Sequence, residues 1–371
     1  MKKTFIFLFT AVLAVTGLCV FAGEDRVFSD NENRQLTVMD DVMTESVRTG
    51  DFQKALTEYS SDQMPGRDSL MALATAVKKI TGRKDIGGAY IGRDGFYFDK
   101  KLEKDINSER YERNLKIIEK TAGNYPEKKV TVMLVPGGGS VYSSKLPENA
   151  ELFDDDKMYE LAVKTLSKCK VVNMKEALIR QAEREDSENL YYRTDHHWTL
   201  DGAYVGYEEL MGKKCPYEMK EVCSDFLGTL YSKVLDKSAE KAVGEGGSLD
   251  RIKIPVINDK IKVTTDGKPV EMFDMEMTKE KDKYKVYFGG NHGITQIETG
   301  VSGKGKLAVI KDSFANCLVP LLAGDYKEIV MIDMRYFAGD MDMVAGDADE
   351  ILFLYELSSF ASDSNISKLG L

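Results

Sequence analysis

From about residue 103 the chain alternates between two hydrophobic patterns. In one set of segments apolar residues recur at three- and four-residue spacing, which predicts amphipathic helices. The other set consists of short continuous apolar runs, which predict strands covered on both faces. The predicted helices lie at 102–122, 158–166, 174–183 and 201–211, and the predicted strands at 130–135, 171–172, 307–310, 329–332 and 351–354. This alternation predicts an α/β fold with a mostly parallel sheet and crossover helices.

Three other stretches depart from the alternation. Residues 23–85 carry helical spacing at 51–59 and 67–80 and predict a helical N-terminal extension. Asp94-Gly95 between two apolar triplets predicts a hairpin, because both residues tolerate positive φ. Residues 213–283 are charged and weakly periodic, and we interpret them as an insertion that caps the sheet edge. We therefore expect a segment 1–22, the extension 23–85, and a main domain 86–371 that contains the insertion.

The first 22 residues resemble a targeting segment. Lys2 and Lys3 precede an uncharged apolar stretch that ends at Ala22, before a polar sequence. This pattern predicts a cleaved secretory signal peptide. An uncleaved membrane anchor is the main alternative, because about 18 apolar residues are enough to cross a bilayer, and lipidation at Cys19 is the third. All three predict that the rest of the chain lies outside the cytoplasm.

Composition and charge narrow the classes of partner. Apolar residues make up 43% of the 371 residues and charged residues 30%, as in a folded globular protein. The formal net charge of −10 argues against a nucleic-acid-binding surface, which would need a basic face. Beyond the first segment, Cys215 and Cys223 are close enough for a small disulfide loop, whereas Cys169 and Cys317 lie in apolar contexts typical of buried thiols.

The three histidines occupy two places, His196-His197 and His292. Asp195 precedes His197 by two residues, and on an extended chain such residues point to the same side. A carboxylate in that position can accept a hydrogen from the imidazole and orient it as a general base. His196 and Trp198 would then face the opposite side, where we expect them to have a supporting role.

A metal site is the alternative for the same residues. Asp195, His196, His197 and His292 are all chemically suitable ligands. Adjacent histidines on a strand diverge, however, and so make poor joint ligands without a bend. We therefore favour the general base, with no metal and no other cofactor.

A nucleophile for this base is found much later in the chain. Ser313 lies between the predicted strand 307–310 and an apolar, helix-like segment that begins at Phe314. A serine at such a junction presents its hydroxyl at the carboxyl edge of the sheet, where the following backbone N–H groups can stabilise an oxyanion. An ordinary helix N-cap is the alternative role for Ser313, and Pro320 should bend or shorten the helix.

The block Thr194-Asp195-His196-His197-Trp198-Thr199, followed by Asp201-Gly202-Ala203-Tyr204, resembles the signature of the bacterial DHHW family. That family is similar to the alginate O-acetyltransferases. Further segments of the chain match family landmarks: Glu32-Asn33-Arg34, Asp62–Arg67, Gly92–Gly95, Phe226–Thr229, Gly289–His292 and Lys311–Phe314. The resemblance implies a three-layer SGNH-hydrolase-like (flavodoxin-like) fold in which circular permutation places the Asp-x-His motif before the serine.

Carried over to this chain, the resemblance implies that Ser313 is the nucleophile, His197 the general base and Asp195 its orienting partner. The chain departs from the related enzymes at Lys311, where they commonly have glycine two residues before the serine. A side chain at that position is expected to affect the approach of the acyl group.

Two further assignments rest on weaker patterns. Gly290 and Asn291 are candidates for an oxyanion hole, supplying a backbone N–H and an amide, although a glycine-rich turn is the simpler interpretation. Arg335, just past the strand at 329–332, is a candidate for binding a carboxylate or a sugar, with a plain surface arginine as the alternative.

We therefore expect an extracytoplasmic serine-dependent O-acetyltransferase that acts on a cell-envelope or exported polysaccharide, supplied by a membrane-bound acetyl-donor partner. A carbohydrate esterase would use the same three residues with water as the acceptor. A non-catalytic polysaccharide-binding or assembly protein is the alternative from another class.

Overall fold

The computed structural model describes residues 2–29, 31–32, 34–184, 187, 189–239, 250–257, 261–302, 305–341, 344 and 346–370. Asn33, which contributes to the resemblance described above, lies outside the described residues. So do residues 240–249 and 258–260 of the expected insertion.

The helices cover most of the first half of the chain and recur near its end. In chain order they are α1 Lys2–Ala22, α2 Met39–Thr44, α3 Asp51–Asp62, α4 Arg67–Ile80, α5 Ser108–Asn124, α6 Gly138–Val141, α7 Asp155–Thr165, α8 Met174–Ala182, α9 Leu200–Met211, α10 Thr229–Val234, α11 Ala315–Leu318 and α12 Leu357–Ser362. Short 3₁₀ turns follow or precede several of them, at Glu103–Asp105, Ser143–Lys145, Met275–Lys279, Lys283–Val286, Val319–Leu322 and Asn365–Gly370.

The strands form one large sheet and three small ones within the described residues. In chain order they are β1 Phe28–Ser29, β2 Arg34–Gln35, β3 Asp85–Ile86, β4 Ala89–Ile91, β5 Tyr97–Asp99, β6 Lys129–Val135, β7 Lys170–Asn173, β8 Met219–Cys223, β9 Ile252–Pro255, β10 Lys262–Thr265, β11 Lys268–Val270, β12 Ile294–Glu298, β13 Lys306–Lys311, β14 Glu328–Ile332 and β15 Glu350–Glu356.

The large sheet has the order β11-β10-β12-β14-β13-β15-β6-β7. Strands β14, β13, β15, β6 and β7 are parallel, and β12, β10 and β11 extend that edge in antiparallel register. Counted from β13, the parallel part reads 2-1-3-4-5, which is the flavodoxin-like order. Because β6 and β7 come first in the chain, the order is circularly permuted, and the topological switch point lies between β13 and β15.

Alternate residues of these strands enter two hydrophobic cores, one on each face of the sheet. Leu307, Val309 and Leu352 pack with α8, α9 and α11 on one face, whereas Ala308 and Ile310 pack with α5, α7 and α12 on the other. Every core position of β13 is almost fully buried. The result is the three-layer α/β arrangement that the motifs predicted, with the central strands covered on both sides.

Local sequence signals account for most element boundaries. The predicted hairpin is present, with Asp94 at φ 55° and Gly95 at φ 77°. Helix α5 begins at Ser108 rather than near 102, because the Asn107 side chain accepts from the Arg110 N–H and caps it there. The helix after Ser313 is short, since α11 ends at Leu318 and continues only as a 3₁₀ turn that contains Pro320.

Residues 23–85 contain α2, α3 and α4, and a short antiparallel pair formed by β1 and β2 precedes these helices. Helix α1 is 21 residues long and apolar enough to cross a membrane, a test that signal sequences also pass. Its last turn rests on α3, where the Tyr59 hydroxyl donates to the Val20 carbonyl over 3.2 Å. The α4 residue Thr75 donates to the Val234 carbonyl and ties the extension to the main domain.

The segment expected to be an insertion contributes more than an edge cap. Its strands β10 and β11 extend the sheet edge through β12. Thr229, the first residue of helix α10, and Asp250, which precedes β9, however, contact the candidate site described below. All five cysteines are described and free, so the structure contains no Cys215–Cys223 disulfide; the Cys223 thiol donates to Asp225 instead.

Candidate active site

Ser313 lies two residues beyond the end of β13, at the switch point of the sheet. The junction is held by Asp312, whose backbone N–H donates to the Leu354 carbonyl of β15. Its carboxylate accepts from the N–H groups of Phe314 and Glu356, each over 2.9 Å. Burial, partly opposed by these hydrogen bonds, raises the pKa of Asp312 to about 7. The hydroxyl of Ser313 therefore projects from a turn that is fixed at both strand ends.

Asp195 and His197 come from a segment of bends rather than from a strand. The His197 ring nitrogen Nδ1 lies 2.6 Å from Asp195 Oδ1, and its Nε2 lies 2.7 Å from the Ser313 Oγ. Because a carboxylate only accepts, Nδ1 carries the hydrogen and Nε2 is left to accept from the serine hydroxyl. The structure thus places the three side chains in one hydrogen-bonded row. His197 and Ser313, which contact each other in it, are 116 residues apart in the chain.

Asp195 is buried and saturated with donors. Besides His197 Nδ1, it accepts from the His197 N–H over 3.0 Å and from the N–H and hydroxyl of Thr229. Burial opposes its charge, but the nearby His196 and His197 and these hydrogen bonds outweigh it and hold the pKa of the carboxyl well below its usual range. Asp195 is therefore ionised at neutral pH.

Close packing of Gly228 makes this arrangement possible. A Cβ at Gly228 would lie 2.3 Å from Asp195 Cβ and 2.4 Å from its Oδ2, distances that no side chain can occupy. Gly228 also precedes α10, and so brings the Thr229 donors to the carboxylate. The glycine of the segment Phe226-Leu227-Gly228-Thr229 thus has a direct structural role beside the site.

His197 is buried between aromatic rings. Tyr284 stacks on its ring at a centroid distance of 3.9 Å and an interplanar angle of 10°, and Phe314 lies 5.3 Å away. Burial, together with the charges of His196 and Arg335, lowers the pKa of His197 to about 4, although Asp195 acts in the opposite direction. The imidazole is consequently neutral at pH 7, which is the form that accepts a proton.

His196 does not face away from His197, as an extended strand would require. The bends bring the two rings side by side, with centroids 3.8 Å apart. His196 Nδ1 donates to the Thr229 hydroxyl over 2.7 Å, and that hydroxyl in turn donates to Asp195. His196 thus contacts Asp195 through Thr229, and its supporting role stays a prediction, whereas the predicted strand geometry was wrong.

Asp250 holds the bend segment from the other side. It accepts from the N–H groups of Arg193 and Thr194, over 2.7 and 2.8 Å, and from the Thr194 hydroxyl. Burial raises the pKa of Asp250 to about 6, and hydrogen bonds from Thr194 and Arg193 limit that rise. Sequence reasoning missed Asp250, because nothing in its neighbourhood marks it as a brace for residues more than fifty positions earlier.

Two side chains connect the bend segment to the serine turn. Trp198 Nε1 donates to the Phe314 carbonyl over 2.8 Å, and the Tyr284 hydroxyl donates to the Ser313 carbonyl over 3.1 Å. Trp198 therefore contacts the turn that carries Ser313, and its supporting role stays a prediction. Tyr284 is a second residue that sequence reasoning missed, since it lies in an irregular segment without a motif.

Lys311 is buried and does not line the open side of the site. Its ammonium donates to Asn291 Oδ1 and to Asn316 Oδ1, each over 2.9 Å, and lies 3.5 Å from Asp333 Oδ2. Only 2% of the Lys311 side chain is exposed, so the expectation that it affects the approach of the acyl group does not fit the structure.

The two weaker candidates for an oxyanion hole, Gly290 and Asn291, differ in whether their N–H groups are already hydrogen-bonded. The Gly290 N–H donates to the Tyr287 carbonyl in a turn, at φ 117°, and so is not directed at Ser313. The N–H groups of Phe314, Ala315 and Asn316 are likewise bonded within the turn and helix, which contradicts their expected role. The Ser313 N–H forms no hydrogen bond with the described residues, and Asn291 uses only its carbonyl oxygen.

Arg335 lies close enough for its charge to lower the pKa of His197. Its Nε and Nη2 donate to the two oxygens of Asp333 over 2.8 and 2.6 Å. This bidentate pair fixes the guanidinium at the end of β14, and a role in substrate binding stays a prediction. His292, the remaining histidine, bonds to the Phe288 carbonyl and does not join the other two.

Asp195, His196 and His197 also lie close enough to hold a metal ion. The lone pairs of Asp195 and the two ring nitrogens of His197 are already committed, however. Asp195 accepts four hydrogen bonds, and the two nitrogens of His197 face Asp195 and Ser313. Ligation would have to break this network, so the donor chemistry of the site fits proton transfer better than metal binding.

Two family models match overlapping parts of the chain, and the first of them covers Asp195, His197 and Ser313. Residues 156–332 match the DHHW protein model, and residues 90–215 match the SGNH hydrolase-like domain of the acetyltransferase AlgX. No curated protein matches the chain. The resemblance predicted from the motifs is confirmed: the chain is similar to the DHHW proteins and to the SGNH hydrolase-like domain of the acetyltransferase AlgX.

Solved structures show the same fold. A DHHW family protein from Eubacterium siraeum has a TM-score of 0.63 and 23% identity, covering 76% of this chain and 96% of its own. PatB1 of Bacillus cereus, in a structure with a sulfonyl adduct, has a TM-score of 0.58 and 19% identity, covering 73% and 97%. The O-acetyltransferase domain of Pseudomonas putida AlgJ has a TM-score of 0.48 and 14% identity, covering 76% and 98%.

Proposed function

We propose that this chain is a serine-dependent O-acetyltransferase that acts outside the cytoplasm on a cell-envelope or exported polysaccharide. The observation that carries the proposal is the row formed by Asp195, His197 and Ser313, with contacts of 2.6 and 2.7 Å and a neutral imidazole at its centre. The acetyltransferase-type domain model supports acyl transfer as the reaction class, since geometry alone fits any acyl transfer.

In the first step the Ser313 hydroxyl loses its proton to His197 Nε2 as Oγ attacks the carbonyl carbon of an acetyl ester or thioester. Ionised Asp195 stabilises the imidazolium and keeps its Nδ1–H in place. The tetrahedral intermediate collapses when the bond to the leaving oxygen or sulfur breaks, and that atom takes the proton from Nε2. The products are acetyl-Ser313 and the free alcohol or thiol of the donor.

In the second step a sugar hydroxyl is the acceptor. Its proton passes to His197 Nε2 while its oxygen attacks the acetyl carbon, and Ser313 Oγ then leaves with that proton. The sugar gains the acetyl ester and the enzyme returns to its starting state. Ser313 is partly exposed, so water can take the place of the sugar, and the same residues then act as an esterase.

The oxyanion of each intermediate needs donors aimed at it before the reaction begins. Two groups suit this role: the Ser313 N–H, which forms no hydrogen bond with the described residues, and the Asn291 amide, whose oxygen is held by Lys311 and Asn316.

The apolar helix α1 supports a location outside the cytoplasm, either as a cleaved signal or as an anchor. Acetyl groups for such a site have to be delivered across the membrane. We therefore include a membrane-bound acetyl donor as the expected partner of the transferase.

Covalent labelling tests the proposal directly. The intact protein should react with a serine-directed fluorophosphonate, and Ser313→Ala should lose all labelling. Ser140→Ala, at a pocket bordered by His196, provides the matched control and should label normally. Labelling that persists in Ser313→Ala, with that variant folded by circular dichroism, would remove the serine mechanism.

Product analysis separates the transferase from the esterase. With 4-nitrophenyl acetate as donor, acetylated oligosaccharide should form when a glycan is added, at the expense of free acetate. In cells, deletion of the gene should lower the acetyl content of the envelope glycan. Acetate as the sole product and an unchanged glycan would leave the esterase.

A further inference from the structure

Lys311 is the most deeply buried cation beside the candidate site. It ends β13, two residues before Ser313, and its side chain is 2% exposed. Burying an ammonium is costly unless it is paired and hydrogen-bonded. Its partners come from three separate elements: Asn291 from the loop before β12, Asn316 from α11 and Asp333 from the end of β14.

These contacts fix the orientation of the Asn291 side chain. Its Oδ1 accepts from the Lys311 ammonium over 2.9 Å and from Asn316 Nδ2 over 3.1 Å. An ammonium has three donors and no acceptor, so it can face only the oxygen of the amide. The Asn291 NH₂ group must therefore point away from Lys311, and a rotated amide would set NH₂ against ammonium.

The charges around Lys311 leave the cluster positive. Lys311 and Arg335 contribute two positive charges, and Asp333 contributes one negative charge between them. Burial raises the pKa of Asp312, the other carboxyl near Lys311, to about 7. Lys311, Asp333 and Arg335 together carry one net positive charge, which favours an anion that develops at Ser313.

We propose that Lys311 is a positioning residue, which locks the Asn291 carbonyl away from the reaction so that the Asn291 amide hydrogens are presented to the oxyanion formed at Ser313. The inference rests on the proposed function, and it assigns a task to the side chain that stands where related enzymes commonly have glycine. Lys311 itself stays behind Asn291 and does not touch the substrate.

The protonation state of Lys311 should then appear in the pH dependence. Burial lowers its pKa to about 8, with Asp333 and Asp312 acting in the opposite direction and Arg335 in the same one. A neutral amine can accept as well as donate, so deprotonation removes the discrimination between the two ends of the amide. Turnover should accordingly fall as the pH rises through about 8.

A double-mutant cycle tests whether Lys311 acts through Asn291. Lys311→Met keeps the volume without the charge, and it should lower kcat for 4-nitrophenyl acetate about 100-fold with KM within about twofold, as loss of one oxyanion donor does. Asn291→Ala should have the same effect, and the double variant should be no slower than either single one. The proposal would be overturned if the two losses of kcat multiplied in the double variant, or if kcat were unchanged in Lys311→Met.

Lys311→Arg supplies a second test if the Met variant folds poorly. The guanidinium stays charged, so its turnover should lack the decline near pH 8 that the wild type shows. Asp312→Asn removes a neighbouring carboxyl whose pKa is about 7 and should keep the decline. A wild type without the decline, or an Arg variant that keeps it, contradicts the inference.

The outcomes separate this inference from the function it deepens. Turnover that survives in Ser313→Ala removes the serine mechanism itself. A dead Ser313→Ala combined with a fully active Lys311→Met leaves the mechanism intact and removes only the role of Lys311.

Discussion

The two halves of the candidate site are built in different ways. The serine half is built on regular structure. Strand β13 is paired with β14 and β15 along its length, and Ser313 lies two residues beyond the end of β13. The histidine half lies in a segment of bends, and side chains place it: Asp250, Thr229 and Tyr284.

This difference predicts unequal tolerance to substitution. A backbone ladder is shared among many peptide groups, so a single side chain contributes little to its position. Each brace of the histidine half is unique, and losing it leaves buried polar groups without partners. Substitutions in the histidine half should therefore cost more than equivalent substitutions in the serine half.

The largest effect is expected for Asp195→Asn. The amide would offer NH₂ to His197 Nδ1 or to the Thr229 donors, so one side of the site loses its acceptor and the imidazole its required tautomer. We expect kcat to fall about 10⁴-fold, the size seen when a triad carboxylate becomes an amide. Steady-state kinetics with 4-nitrophenyl acetate measure the loss, and a decrease of less than tenfold would show that Asp195 does not orient the base.

The next effect is expected for Gly228→Ala. The new methyl group would meet Asp195 at 2.3–2.7 Å, so either α10 or the bend segment must move. Overpacking of this kind costs about 1–3 kcal/mol of unfolding free energy, and a 1 Å displacement of a catalytic group costs about 100-fold in rate.

Gly137→Ala is the matched control for Gly228→Ala. Gly137 has a φ of −69° and its added Cβ would find its nearest neighbour 3.9 Å away, so it should change neither stability nor rate appreciably. Urea unfolding and kcat measure both. Equal losses in the two variants would mean that close packing on Asp195 is not the cause.

A smaller effect is expected for the pair Asp250→Asn and Asp312→Asn, which compares the two halves directly. Both carboxyls are buried and brace backbone N–H groups. Burial raises the pKa of Asp250 to about 6 and that of Asp312 to about 7.

We expect Asp250→Asn to lower kcat/KM about tenfold and the unfolding free energy by about 2 kcal/mol, since it weakens bonds to a charged acceptor. Asp312→Asn should cost less on both measures, because the ladder of β13 still holds the turn. A larger loss in Asp312→Asn would reverse the proposed difference between the halves.

The same difference explains what the sequence could predict. Buried strand runs, the Asp-Gly hairpin and the permuted order of motifs are recorded in local patterns, and the sheet has the predicted strands. The position of Ser313 at the end of a central strand could be predicted because the strand before it is a continuous buried run. The extra antiparallel strands β10, β11 and β12 are short and half exposed, so their periodicity is weak.

The rest depended on contacts that no local pattern records. The Asp-x-His motif identified Asp195 and His197, but strand geometry wrongly separated His196 from His197, because Thr229 and Asp250 bend the segment. Lys311 was expected to affect the acyl group, and its burial is visible only once Asn291, Asn316 and Asp333 surround it. Long-range side-chain contacts therefore set the limit of sequence reasoning here.

The smallest effect, and the sharpest test of the histidine half, is the acid limb of the rate. Burial lowers the pKa of His197 to about 4, so protonation removes the base only below that value. At pH 5 about a tenth of the enzyme would be inactive, whereas an imidazole with the usual pKa near 6.5 would be almost entirely protonated. Burst labelling of Ser313 by a fluorophosphonate between pH 3.5 and 8 measures this limb independently of later steps. We expect half-maximal labelling near pH 4, and in Tyr284→Leu, which uncovers one face of the ring, a midpoint moved towards 6. A wild-type midpoint already near 6.5 would mean that Tyr284 and Phe314 do not shield the His197 ring from water.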